Sequence, residues 1–219
     1  MNSIILACPT LQYELQEARN AVDCQIPVRY IPQYLHDSPP DLLKYLQEVV
    51  DSITDKDRIY ICVSSCGGGT AGLKATTAEL VVPRTRDCID ILLSDKSLKE
   101  LNRPMDGVFY TLGWADFYKN SSHCLEKLAA KHGQAYAEDY MRNLYDGFNK
   151  FYYIDTGRGD LERIHKIIDP LVECLYGTHE VIEGHYGILR KIVNEQIDDD
   201  FMVVPIGGCV DTSQFLGFY

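Results

Sequence analysis

Short apolar runs recur along this chain, and most are followed by segments whose apolar residues return every three or four positions. "SIILAC" at 3–8 is an uninterrupted run of strand length, and "TLQYELQEAR" behind it has helical spacing. "IPVRYIP" carries β-branched residues between prolines, which predicts a second strand. In "SPPDLLKYLQEVVDSI", Leu42, Leu43, Leu46, Val49, Val50 and Ile53 form one apolar helical face, with Asp41 near its first turn. "DRIYICVSS" predicts a third strand. After it, "TAGLKATTA" is expected to start a helix, "ELVVPR" to form a strand and "DCIDILLSD" to open another helix.

Further on, "GVFYTLGW" and "KFYYIDTG" predict strands. "CLEKLAAKHGQAYAEDYMRNLYDGF" predicts a long helical region with a break at Gly133. "LERIHKIIDPLVECL" and "HYGILRKIVNEQ" predict helices, and "DFMVVPIGGC" the last strand. Strands alternating with helices predict an α/β fold. The expected architecture is a single three-layer domain over residues 1–219, with a mainly parallel sheet, helices on both faces and a helical cap at 115–150.

Composition narrows the partners. With 46% hydrophobic and 24% charged residues the chain resembles an ordinary globular protein. A net charge of −11, with no Lys/Arg-rich stripe, argues against nucleic acid. No apolar stretch reaches the roughly 18 residues of a membrane helix. "MNSIILACPTLQYELQ" has no basic leader, so a cytoplasmic protein without a membrane partner is expected. The acidic run at 198–200 is expected in a solvated loop before the last strand.

The eight cysteines add candidate chemistry. A reducing compartment keeps them as thiols, and without a CxxC pair any metal site must be assembled from distant segments. Open α/β sheets bind ligands beyond the carboxyl ends of their strands. Cys8, Cys66 and Cys209 follow strands there, Cys88 follows "ELVVPRTRD" at a helix start, and His36 follows the second strand in "YLHDSPP". Cys62, Cys124 and Cys174 read as small buried hydrophobes, and nothing beside Cys24 suggests chemistry. Cys8, His36, Cys66 and Cys88 form a soft tetrahedral set suited to zinc, with an iron–sulfur cluster as the alternative. Cys209 stands between an alternative ligand, a gate exchanging with His36, and a packing residue.

The glycines of "CGGGT" permit positive φ and close backbone approach. Gly67, Gly68, Gly69 and Thr70, with the helix expected after them, are therefore candidates to face a ligand. Neither GxxxxGK[ST] nor GxGxxG occurs, so this is not a nucleotide loop. Of Arg84 and Arg86, one is expected to pair with a carboxylate and the other to hold a ligand carboxylate or phosphate. Asp87 either caps the helix at Cys88 or supports a ligand, with capping favoured. Trp114, the sole tryptophan, lines the pocket or packs in the core.

The pieces "ACPTL", "LHDSPPDL", "CGGGTAGL", "VPRTRDCIDILL" and "TLGW", in this order, resemble domain of unknown function family 1638. The similarity covers nearly the whole chain, although the family's "ACGTL" is here "ACPTL", without the glycine before Thr10. The resemblance implies one site for Cys8, His36, Cys66 and Cys88. It also implies a setting in methanogens and anaerobic bacteria, linked to one-carbon or corrinoid-dependent methyl metabolism, with a corrinoid or corrinoid protein as candidate partner. A metal-binding protein, enzyme or accessory factor, is the function expected. The alternatives are a metal-free thiol enzyme with Cys66 as nucleophile and His36 as base, or a small-molecule or corrinoid binding module without catalysis. "LHDSPP" lacks the DxHxxG signature, which speaks against His36 ligating a corrinoid directly.

Overall fold

A computed structural model describes residues 1–216 of the chain. Its strands are β1 Ser3–Ala7, β2 Val28–Tyr30, β3 Arg58–Cys62, β4 Glu79–Pro83, β5 Val108–Tyr110, β6 Lys150–Asp155, β7 Thr178–Glu183 and β8 Phe201–Val204. Its helices are α1 Gln12–Asn20, α2 Pro39–Ser52, α3 Cys88–Leu93, α4 Leu112–Asn120, α5 Leu125–His132, α6 Gln134–Leu144, α7 Leu161–Cys174 and α8 Gly187–Val193. Two compact units result, one from residues 1–101 with the chain from His185 onward, the other from Asn102–Gly184. Each has its own sheet, and both are mixed α/β with mainly parallel pairing.

The first unit holds a sheet in the order β2-β1-β3-β4-β8. β1 and β3 lie inside it, and Ile5, Ile59, Tyr60 and Ile61 are fully buried, which is why these strands read as unbroken apolar runs. α2 starts on Pro39, whose fixed φ suits a first helical turn. It buries Leu42, Leu46, Val49 and Val50 in one cluster with Leu6, Ile59, Ile61, Leu80 and Val82. The alternate residues Ile5, Tyr60 and Val81 face the other way and are equally buried.

The chain runs from β1 outward to β2, then back across β1 to β3 and on to β4. Right-handed crossovers therefore place α1 and α2 on opposite faces. The direction of winding reverses between β1 and β3, and the crevice of such a sheet lies at the carboxyl ends of the strands where that reversal occurs.

Three expectations for this unit are corrected. "TAGLKATTA" forms turns and an isolated bridge at Lys74 rather than a helix. Its threonine hydroxyls are committed elsewhere, Thr76 to Asp51 Oδ1 at 2.6 Å and Thr77 to the Val50 carbonyl at 2.8 Å. β8 runs antiparallel to β4, with Val204 opposite Leu80, so its carboxyl end lies beside the amino end of β4. The run 198–200 precedes β8 as expected, but Asp200 is buried, accepting hydrogen bonds from Ser97 Oγ, the Leu98 amide and Lys191 Nζ.

In the second unit β5, β6 and β7 form a parallel sheet with β6 in the middle. Phe151, Tyr152, Tyr153 and Ile154 of β6 are buried. The helices of the 115–150 region, α4 to α6, belong to this unit, with the break between α5 and α6 at Gly133. "TLGW" is not strand, because Thr111 accepts a hydrogen bond from the Trp114 amide and caps α4. Among the described residues, no helix is long and apolar enough to cross a membrane.

Candidate functional site

Cys8 is the first residue beyond β1, and its amide donates to the Cys62 carbonyl at the end of β3 at 3.0 Å. The short 3-10 turn Pro9–Leu11 then returns Thr10, whose Oγ1 lies 3.0 Å from Cys8 Sγ and donates to Cys88 Sγ at 3.5 Å. Cys88 opens α3, where the Asp87 carboxylate caps the helix by accepting from the Ile89 and Asp90 amides at 3.0 and 3.3 Å. Thiols from the end of β1 and the start of α3 thus share one hydroxyl, and both cysteines are buried, at 1% and 0% exposure.

Cys66 sits in the loop that closes β3. Ser64 and Cys66 take left-handed backbone conformations, φ 63° and 42°, each costing about 1–3 kcal/mol for a non-glycine residue. Bonds to the neighbouring strand end hold this geometry. Ser64 Oγ lies 2.7 Å from Thr85 Oγ1, the Ser65 amide donates to the Thr85 carbonyl, and the Cys66 amide donates to the Arg86 carbonyl at 3.0 Å. Cys66 itself is half-buried and its thiol donates to the Val63 carbonyl at 2.5 Å.

The glycines serve the loop itself. Gly67 adopts φ 67°, and a Cβ on Gly69 would stand 2.6 Å from Leu42 Cδ2 of α2. The Gly68 and Gly69 amides donate to the Ser65 and Cys66 carbonyls, and Thr70 Oγ1 to the Ser64 carbonyl at 2.9 Å. The expected row of amides facing a ligand is therefore spent on turn bonds at these positions. With no helix after the glycines, a helix terminus adds nothing there either.

The thiols perturb one another. The hydrogen bond with Cys8, reinforced by burial, pushes the Cys88 thiol well above its ordinary range. Burial, then the proximity of Cys88 and Asp87, does the same to Cys66. Burial, with Cys88 nearby, pushes Cys62 up to about 12. This neighbourhood resists accumulating negative charge, and a bound cation reverses that tendency.

The remaining candidates have definite places. His36 is half-buried in the 3-10 turn Gln33–Asp37 that follows β2. Arg86 closes on the buried Asp90, with Nε and one terminal nitrogen each 2.8 Å from a carboxylate oxygen, so its fork is occupied within the protein. Arg84 Nε donates to the Phe201 carbonyl at 3.1 Å. Trp114 lies in the first turn of α4, in the second unit. Cys209 is exposed and bridges to Lys74 after the antiparallel β8, not at the carboxyl edge expected for it.

Among the described residues, one group of three or more His, Cys, Asp or Glu side chains has all its ligand atoms within 4.8 Å of one another, namely His165, Asp169 and His179. Cys8, His36, Cys66 and Cys88 do not meet that spacing. The histidine group escaped the sequence reading because His179 lies on β7, whose "THEVIE" carries no apolar run. The available signal was His165 and Asp169 at i and i+4, on one helical face.

Residues 30–193 match the family described as protein of unknown function (DUF1638). That stretch contains His36, Cys66, Cys88 and the three residues of the histidine group, and begins after Cys8. No curated protein and no solved structure matches the chain. As the match spans well over half of its length, the chain belongs to the DUF1638 family.

Proposed function

We propose that the carboxyl edge of the five-stranded sheet is a soft-metal site, with Cys8, Cys66 and Cys88 as thiolate ligands, His36 as the fourth and zinc as the ion. The observation carrying this reading is the convergence of Cys8 and Cys88 on Thr10, beside the strained loop of Cys66, where the winding of the sheet reverses. As a thiolate ligand Cys66 would give up the hydrogen bond that its thiol donates to the Val63 carbonyl, so this reading has the site completed as metal binds. The raised thiols of Cys66 and Cys88 favour this reading over a metal-free nucleophile, which needs a lowered pKa. A cytoplasmic setting, where the eight cysteines stay reduced and available to metal, belongs to this reading.

The setting follows the family resemblance, namely anaerobic one-carbon or corrinoid-dependent methyl metabolism, with a small thiol-bearing molecule or a corrinoid protein as partner. Metal analysis of anaerobically purified protein tests the site. Cys88→Ser is expected to lose about one zinc equivalent per chain relative to the wild type, because thiolate ligands supply most of such a site's affinity. Equal zinc in the folded variant and the wild type refutes the proposal.

A further inference from the structure

We propose a second metal site, for a divalent transition-metal ion of the zinc class, formed by His165, Asp169 and His179 entirely within the second unit. His165 and Asp169 project from one face of α7, and His179 stands on β7 at the edge of the three-stranded sheet. Their ligand atoms lie no more than 4.8 Å apart, and His165 Nδ1 is 3.1 Å from each oxygen of Asp169. Ligand atoms about 2.0–2.1 Å from a tetrahedral zinc are about 3.4 Å from one another, so closing the group needs a shift of little more than an ångström. The exposed His179 can supply that shift.

Tyr153 of β6 organises all three residues. Its hydroxyl donates to Asp169 Oδ1 at 2.8 Å. Its ring stacks on His179, with centroids 4.8 Å apart and planes within 1° of parallel, and it meets His165 edge-on at 4.9 Å. The strands fix this arrangement, because Phe151 pairs with His179 and Tyr153 with Val181, leaving the Tyr153 and His179 side chains as diagonal neighbours. A phenol fixing a ligating carboxylate is the outer-shell support metal sites use. An ordinary i, i+4 side-chain contact on a helix accounts for His165 and Asp169. It does not account for a second imidazole held flat on the same tyrosine, with a nitrogen within reach of the same point.

Two imidazoles and one carboxylate form a borderline donor set that suits zinc and neighbouring divalent ions, and three protein ligands leave a coordination position open to water or a small anionic ligand. The site uses no cysteine and stands independently of the thiol proposal.

Cobalt(II), the visible-absorbing stand-in for zinc, is the probe, titrated into the full chain and its variants. The spectrum of the wild type minus that of His179→Ala is expected to show visible d–d bands without near-ultraviolet sulfur charge transfer. Cobalt affinity at this site is expected to fall more than about tenfold in His179→Ala and in His179→Gln, and about tenfold in Tyr153→Phe, the size of effect outer-shell changes produce. A flat difference spectrum with folded protein, one carrying sulfur charge transfer, or unchanged affinity in both His179 variants overturns the proposal.

Discussion

Burial raises the thiols of Cys62 and Cys66, the hydrogen bond with Cys8 and burial raise that of Cys88, and this has a measurable consequence for stability. Cys62 shows it most clearly, since its pKa is pushed from 9.0 in the ordinary state up to about 12 in the fold. Above the ordinary value the unfolded chain loses this proton while the folded chain keeps it, so the unfolded state binds fewer protons and stability falls as pH rises. The contribution is complete below pH 9.0 and declines toward about 12, with a slope of up to about 1.4 kcal/mol per pH unit. Denaturant unfolding of chelator-treated protein between about pH 8 and 11 is therefore expected to show a steeper loss in the wild type than in Cys62→Ala. Parallel losses contradict the assignment. At the same scale Arg86 shows how residue type misleads. A guanidinium beside a candidate site suggests ligand capture, whereas a buried Asp90 four residues along takes its Nε and one terminal nitrogen.

At the scale of elements, the apolar runs and helical faces around β1, β3, β4, α2 and α7 were legible because their burial is written locally, as unbroken Ile, Leu and Val or as a three-to-four repeat. Strand direction is not local information. β8 reads like its neighbours, yet it pairs antiparallel with β4, and that alone takes Cys209 from the expected edge. β7 carries no local strand signal because it is a mostly exposed edge strand, paired on one side only, so the sequence does not set His179 beside His165. "TAGLKATTA" has adequate helix formers, but contacts of Thr76 and Thr77 with α2 override them. "CGGGT" was legible as a special backbone and misread in its purpose. A Cβ on Gly69 would press on Leu42, which is buried in the core and must then shift, and substitution tests that reading. Gly69→Ala is expected to destabilise the protein by about 1–3 kcal/mol, the usual cost of overpacking, seen as a lower denaturation midpoint with an unchanged slope. An unchanged midpoint shows that α2 and the loop can separate without cost.

For the whole molecule, the division into two units places the two candidate metal groups in different units, the thiols in the first and His165, Asp169 and His179 in the second. The family match includes the histidine group and three of the four proposed ligands of the first unit, while Cys8 precedes it. On the proposal made above, Cys8, Cys66 and Cys88 bind one metal ion together, although their resting side chains stop short of a closed ligand set. Near-ultraviolet absorption of the cobalt(II)-loaded full chain, prepared without oxygen, addresses it most directly, because sulfur-to-cobalt charge transfer arises only from coordinated thiolate. The account predicts intensity that saturates at one cobalt per chain for this signal, falls by at least about one third in Cys8→Ser and in Cys66→Ser, and is nearly lost in Cys88→Ser. Cobalt-loaded wild type without that absorption, or intensity unaltered in all three variants, contradicts it.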